Sequence, residues 1–160
     1  MSMKGYGAWD GLVTLDMDKS HGPDVVWDLD RLPLPFEDNS FDEIHAYEVL
    51  EHIGDQGDWR TFFNQFSEFW RILKPGGHFM ATVPGYDSPW AWGDPGHRRI
   101  ITRGSLVFLS QDEYSKQVGK SSMTDYRFCY SADFKHICSS MENGITAFIL
   151  EAVKRGNPRR

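Results

Sequence analysis

Two acids stand first among the residues whose type and position could do chemistry. Asp16 closes the short β-prone run Leu12-Val13-Thr14-Leu15, and Asp28 closes a second, Asp24-Val25-Val26-Trp27. Open α/β sheets bind ligands outside the carboxyl ends of their strands, so an acid at such a tip is placed to meet one. A carboxylate there can accept both hydroxyl hydrogens of a ribose, while acid and main chain at the next tip can meet an adenine edge. The same two residues would serve as turn caps, and residue type alone leaves the two readings level. Gly5-Tyr6-Gly7 comes before the first run, and glycine lets a backbone approach a ligand closely. A loose chain start after the polar Met1-Ser2-Met3-Lys4 explains it just as well.

The side chains that could serve a second substrate are Tyr47, His52, Trp90, Trp92 and His97. His97 lies beside Asp94 and Arg98, where an Asp–His pair could act as a general base. An Asp94–Arg98 salt bridge that only orders the loop is the competing expectation. His52 reads first as a structural histidine bonding locally. Trp90 and Trp92 suit either stacking on a planar acceptor or covering a sheet edge. No metal-binding set is read, because Cys129, Cys138 and His136 lack a fourth ligand at usable spacing.

The elements that must position these residues alternate between short apolar strands and one strong helix, which favours an α/β architecture. Phe41 to Tyr47 reads as a third strand, followed by a helical turn over Glu48 to Ile53. Trp59, Phe62, Phe63, Phe66, Phe69, Trp70 and Leu73 recur at i, i+3, i+4 spacing, the stripe of a helix packed on a sheet. Asp58 is its expected N-cap, and Lys74-Pro75-Gly76-Gly77 its stop. A strand is expected over His78 to Val83, then a long aromatic connection to Thr102, a helix over Arg103 to Ser110, and a mobile segment from Ser110 to Thr124. Strands over Tyr126 to Ser139 and Gly144 to Val153, reversed at Asn143-Gly144, make an antiparallel hairpin.

Composition narrows the functions. The 160 residues, 40% hydrophobic and 25% charged, suffice for one cored domain, assigned to residues 1–160. A formal net charge of -6 argues against a phosphate-tracking surface, so nucleic acid is not the expected partner. No apolar run is long enough to span a bilayer, and residues 1–10 lack the apolar centre of a signal peptide, so a cytoplasmic protein without a membrane partner is expected.

Four ordered stretches carry a family resemblance. Trp27 to Ile44, with Leu32-Pro33-Leu34-Pro35-Phe36-Glu37-Asp38-Asn39-Ser40-Phe41-Asp42 at its centre, is followed by Val49-Leu50-Glu51-His52-Ile53. Then come Arg71-Ile72-Leu73-Lys74-Pro75-Gly76-Gly77 and Asp94-Pro95-Gly96-His97-Arg98. Together they resemble the class I S-adenosylmethionine-dependent methyltransferases, in particular the methyltransferase-11 family. The resemblance implies a Rossmann-like sheet ending in an antiparallel hairpin, here with the first strand shortened or missing, and S-adenosylmethionine as cofactor. It implies that Asp16 holds the ribose hydroxyls, that Asp28 and Leu29 flank the adenine, and that Ala46 and Tyr47 run beside the methionine portion. Gly5 and Gly7 would approach the methionine carboxylate, and Tyr47 and His97 are the catalytic candidates.

The activity so implied is methyl transfer to a small-molecule or protein acceptor. The abbreviated start motivates an alternative, a non-catalytic methyltransferase-like scaffold, and a homodimer or partner chain that completes the sheet. A nicotinamide-dinucleotide binder is the third reading, disfavoured because a full G-x-G-x-x-G is absent.

Overall fold

The computed structural model describes residues 11–154. The chain divides into two compact units, Met1–Leu34 and Pro35–Arg160. Gly5 and Gly7, and any strand preceding them, lie outside the described residues.

In the first unit, β1 (Leu15–Asp16) runs parallel to β2 (Val25–Val26), with Leu15 opposite Val25 and Asp16 opposite Val26. Both strands are shorter than the apolar runs that announced them. The ladder is lengthened by Val25 N–H to Thr14 O at 2.9 Å and Trp27 N–H to Asp16 O at 3.0 Å. Parallel strands usually need a crossover of a dozen residues or more. Here one 3₁₀ turn, Lys19–His21, does the work, capped by the Asp18 side chain and closed by Gly22 at φ 65°. Asp24 Oδ2 accepts both the N–H and the hydroxyl of Thr14, at 2.8 and 2.7 Å, and ties the two strand entries together.

The second unit is built on a four-stranded sheet in the order β3-β4-β6-β5. β3 (Phe41–Tyr47) is parallel to β4 (Leu73–Pro84), β4 is antiparallel to β6 (Ile145–Ala152), and β6 to β5 (Phe134–Glu142). The helix α1 (Trp59–Ile72) lies between β3 and β4 in the chain, and Asp58 Oδ1 caps it by accepting Thr61 N–H at 3.1 Å. Its apolar stripe is core, as its spacing predicts. Phe66 and Phe69 meet Phe79 of β4 at centroid distances of 5.8 and 4.7 Å, and Phe79 stacks on Phe148 of β6 at 6.3 Å.

The helix stops where Lys74-Pro75-Gly76-Gly77 predicts, but β4 begins there rather than at His78. The register slips between Phe41, opposite Leu73, and Glu43, opposite His78. Gly76 sits at φ 77°, and a Cβ on Gly77 would lie 2.9 Å from Asp42 O and 3.0 Å from Lys74 O, so the bulge depends on glycine.

Other differences have physical causes. The segment expected to be mobile holds α4 (Gln111–Gln117), capped by Ser110 and anchored by the fully buried Tyr114. β5 starts at Phe134, not Tyr126, because Tyr126 and Tyr130 are drawn onto Phe63 of α1, at 4.9 and 4.8 Å. The long connection contains α2 (Pro89–Gly93), capped by Ser88, and the expected helix after it is α3 (Arg103–Leu106) continued by a 3₁₀ turn over Val107–Leu109. The hairpin reverses at Asn143 and Gly144, at φ 54° and 74°.

Candidate active site

Each unit contributes its own candidate groups. In the first, the β-ladder places Asp16 at the carboxyl end of β1. Its Oδ1 accepts Asp18 N–H at 2.8 Å and its Oδ2 pairs with His21 Nδ1 at 2.8 Å. Those bonds, the Asp18 N–H first and the His21 ring second, hold its carboxyl below the usual carboxylate range, so it is an ionised acceptor at neutral pH. Two oxygens offer about four acceptor positions, and two are used. The side chain is 36% exposed, which leaves it open to a diol.

Asp28 follows β2 and heads a tight turn, with Oδ1 on Asp30 N–H at 2.9 Å and its carbonyl on Arg31 N–H at 3.0 Å. Asp28 is exposed and Leu29 half-buried within that turn. The turn-cap expectation is met at both acids, Asp16 ending β1 and Asp28 lying two residues beyond β2.

In the second unit, β3 delivers Ala46 and Tyr47 at its carboxyl end. Ala46 is buried opposite Ala81 of β4, so its methyl faces the core and only its backbone can border a ligand. Tyr47 is 38% exposed. Residues two apart on a strand share a face, and Glu43, His45 and Tyr47 are linked along it. His45 Nδ1 lies 2.7 Å from the Tyr47 hydroxyl, and Nε2 lies 2.9 Å from Glu43 Oε2. A carboxylate on Nε2–H leaves Nδ1 as acceptor for the phenol proton, the wiring of an activated tyrosine. Sequence reasoning named Tyr47 but not His45 or Glu43, although their period-2 spacing was visible.

Beyond Tyr47 the chain turns sharply. Glu48 adopts φ 52°, an unusual conformation for a non-glycine residue, while its N–H still extends the β3–β4 ladder to Thr82 O at 2.9 Å. The turn sends Leu50 and Glu51 inward, at 0% and 2% exposure. The carbonyl of Glu51 accepts Arg98 N–H at 2.8 Å and Arg99 N–H at 3.3 Å, which brings the Asp94–Arg98 loop alongside.

His52 is not bonded locally, contrary to expectation. Its Nδ1–H donates to Gly96 O at 3.0 Å, across the same junction. His97 Nδ1–H donates to Trp90 O at 2.9 Å, and the two imidazoles meet edge to face at 4.8 Å. Both Nε2 atoms lie near Glu51 Oε1, at 3.8 Å for His52 and 4.0 Å for His97. Burial pushes the Glu51 carboxyl above the ordinary carboxylate range. Sequence reasoning missed Glu51, because its partner lies on a separate loop and only the tertiary fold joins them.

The Asp94–His97 dyad is not formed as expected. Asp94 Oδ1 accepts Gly96 N–H at 2.7 Å, and its Oδ2 stays 3.9 Å from His97 Nε2, beyond hydrogen bonding. The expected Asp94–Arg98 bridge is replaced by Arg98 Nε to Asp55 Oδ1 at 2.9 Å. Trp90 and Trp92 are not sheet-edge cover, being 70% and 74% exposed on α2. Two concavities, of about 560 Å³ beside α4 and β5 and about 250 Å³ beside the start of α1, contain none of the cofactor or catalytic residues named from the sequence.

Comparison with known proteins finds partial matches. The model of a methyltransferase domain family matches residues 9–81. A probable S-adenosylmethionine-dependent methyltransferase of Mycolicibacterium smegmatis is 33% identical over 100 residues, 58% of this chain and 33% of that protein. The sterol 24-C-methyltransferase of Pneumocystis carinii is 31% identical over 72 residues, 45% of this chain and 18% of that protein. The matched regions therefore cover about a third or less of these relatives.

Among solved structures, an S-adenosylmethionine-dependent methyltransferase from Mesorhizobium loti matches with a TM-score of 0.52 at 15% identity, over 86% of this chain and 78% of that one. A chain from the complex between the Haloferax volcanii Trm112 methyltransferase activator and a methyltransferase gives 0.51 at 16% identity, over 80% and 60%. At those identities the likeness is one of fold. Over residues 9–81 the chain is therefore similar to a methyltransferase domain family, and its fold resembles that of a solved S-adenosylmethionine-dependent methyltransferase.

Proposed function

We propose that the chain transfers a methyl group from S-adenosylmethionine to a small-molecule or protein acceptor. The observation that carries this reading is the ionised, half-open Asp16 carboxylate at the tip of β1, inside the segment matched by the methyltransferase family. Its two unused acceptor positions suit the two hydroxyls of a ribose. Asp28 and Leu29, at the next tip, are assigned to the adenine. Gly5 and Gly7 are assigned to the methionine carboxylate, and the backbone at Ala46 and Tyr47 to the methionine portion.

When bound, S-adenosylmethionine would supply an electrophilic methyl that the acceptor attacks as the neutral thioether leaves, so the protein contributes mainly orientation. An acceptor that must lose a proton also needs a base. Tyr47 is assigned that role, passing its own phenol proton to His45 Nδ1 while Glu43 steadies Nε2–H. His97, whose Nδ1–H donates to Trp90 O, presents Nε2 as the second acceptor-side group. Exposed Trp90 and Trp92 beside it favour a planar or apolar acceptor. The net charge of -6 favours a small molecule or protein over nucleic acid.

Calorimetric titration with S-adenosylmethionine and its demethylated product tests the reading. Saturable binding of both is expected, and no heat at millimolar ligand would overturn it. Once an acceptor is found, Tyr47→Phe should lower turnover by about 10²-fold or more, the scale of general-base catalysis, with cofactor affinity unchanged. Unaltered turnover would remove Tyr47 from the chemistry.

A further inference from the structure

We infer that Glu51, His52 and His97 form a binding site for one divalent transition-metal cation of the zinc class. The side chain of Glu51 is 3% exposed, and both of its carboxylate oxygens lack a hydrogen-bond partner. Burying an unpaired carboxylate is costly, and a bound cation would satisfy it in its charged form. The two imidazole Nε2 atoms lie near the carboxylate, at 3.8 and 4.0 Å, too far for hydrogen bonds. One ligand atom from each of the three residues lies within 4.8 Å of the others. Zinc bonds of ~2.0–2.1 Å set neighbouring tetrahedral ligands ~3.3 Å apart. Small side-chain rotations close the remaining gap.

The imidazoles are already prepared for this role. Each donates Nδ1–H to a main-chain carbonyl, His52 to Gly96 and His97 to Trp90, which fixes the tautomer and turns the Nε2 lone pair toward the carboxylate. Metal-ligating histidines are held in this manner by their outer shell. The supporting frame is rigid: Glu51 O is clamped by the Arg98 and Arg99 amides, and Arg98 is tied to Asp55.

Two nitrogens and one carboxylate suit zinc and its first-row neighbours better than magnesium or calcium, which prefer all-oxygen sets. Asp94 Oδ2, 3.9 Å from His97 Nε2, is placed to become a fourth ligand. With the cation bound, His97 has no lone pair left to act as a base, and Tyr47 keeps that task alone. The site uses none of Cys129, Cys138 or His136.

The test uses the full chain without S-adenosylmethionine, so its outcome is separate from that of the proposed function. Chelator-stripped protein is titrated with Zn²⁺ by calorimetry and with Co²⁺ by visible absorption. One equivalent should bind with micromolar or tighter affinity, giving cobalt bands without a sulfur charge-transfer component. Glu51→Gln and His97→Gln should each weaken binding at least about tenfold, while His136→Gln should not. Absence of zinc binding at millimolar metal, a thiolate band, or equal weakening in His136→Gln would overturn the site. If a ligand variant fails to fold by circular dichroism, the wild-type stoichiometry and cobalt spectrum decide the question.

Discussion

The two units achieve order by different means. Unit 1 is held by short β pairs and by carboxylates folded back onto their own turns: Asp16 on Asp18 and His21, Asp18 on Ser20, Asp24 on Thr14, Asp28 on Asp30. Among residues 11–34 of this unit Leu34 is the one buried side chain. Unit 2 rests on a long sheet covered by an aromatic helix face, with Phe66, Phe79, Phe134 and Phe148 all at 2% exposure or less. Under the proposed function the difference has a meaning. Acids that shape polar turns at strand tips keep spare acceptor capacity for a ligand, whereas the cored sheet supplies a rigid mount for Tyr47 and for the Glu51–His52–His97 cluster.

The largest expected effect breaks the cored unit. Phe66 is fully buried, with Phe69, Phe79 and Phe134 rings within 5.7 to 6.3 Å. Phe66→Ala should cost about 3–5 kcal/mol of unfolding free energy by chemical denaturation, from lost burial and the cavity left behind. A cost near that of an exposed site would mean that α1 is not the main cover of the sheet.

Asp16→Ala sharpens the contrast from the other side. It should weaken S-adenosylmethionine binding by about 1–3 kcal/mol, the scale of hydrogen bonds to a charged group. Because the residue is partly exposed, the unfolding midpoint should move little. Strong destabilisation with unchanged affinity would reverse the assignment and make Asp16 a turn cap only.

A smaller effect comes from the α1 cap. Asp58→Ala should cost about 1 kcal/mol. Hydrogen bonds from Thr61 hold the Asp58 carboxyl below the ordinary aspartate range. Its folded-state affinity for protons is therefore lower than in the unfolded chain. The contribution is complete above the unfolded aspartate pKa of about 3.9 and is lost as pH falls through the lower folded value. The wild-type advantage over Asp58→Ala should accordingly shrink on acidification, measured by denaturation at neutral pH and near pH 3; an advantage independent of pH would show that the carboxylate is not the cap.

Much of the fold was legible because its elements obey simple periods. β3 covers Phe41–Tyr47 as expected, α1 begins at its Asp58 cap, and Asn143-Gly144 turns the terminal hairpin. α4 was hidden because Tyr114 is its only buried residue and the rest of its surface is polar. Tyr126 and Tyr130 imitated a strand because aromatic content does not reveal whether a ring pairs in a sheet or packs on a helix. At the site, the acids at the strand tips could be named from position. The Glu51–His52–His97 cluster could not, since it exists only because the Glu51 carbonyl captures the Arg98 and Arg99 amides of a distant loop.

Under the proposed function Asp16 holds the ribose of a methyl donor, and a crystal structure of the chain soaked with the demethylated cofactor product decides it. Both ribose hydroxyls are expected within hydrogen-bonding distance of the Asp16 carboxylate, with the adenine beside Asp28 and Leu29. A nucleoside bound elsewhere, or an Asp16 carboxylate turned away from it, would remove Asp16 from the cofactor site.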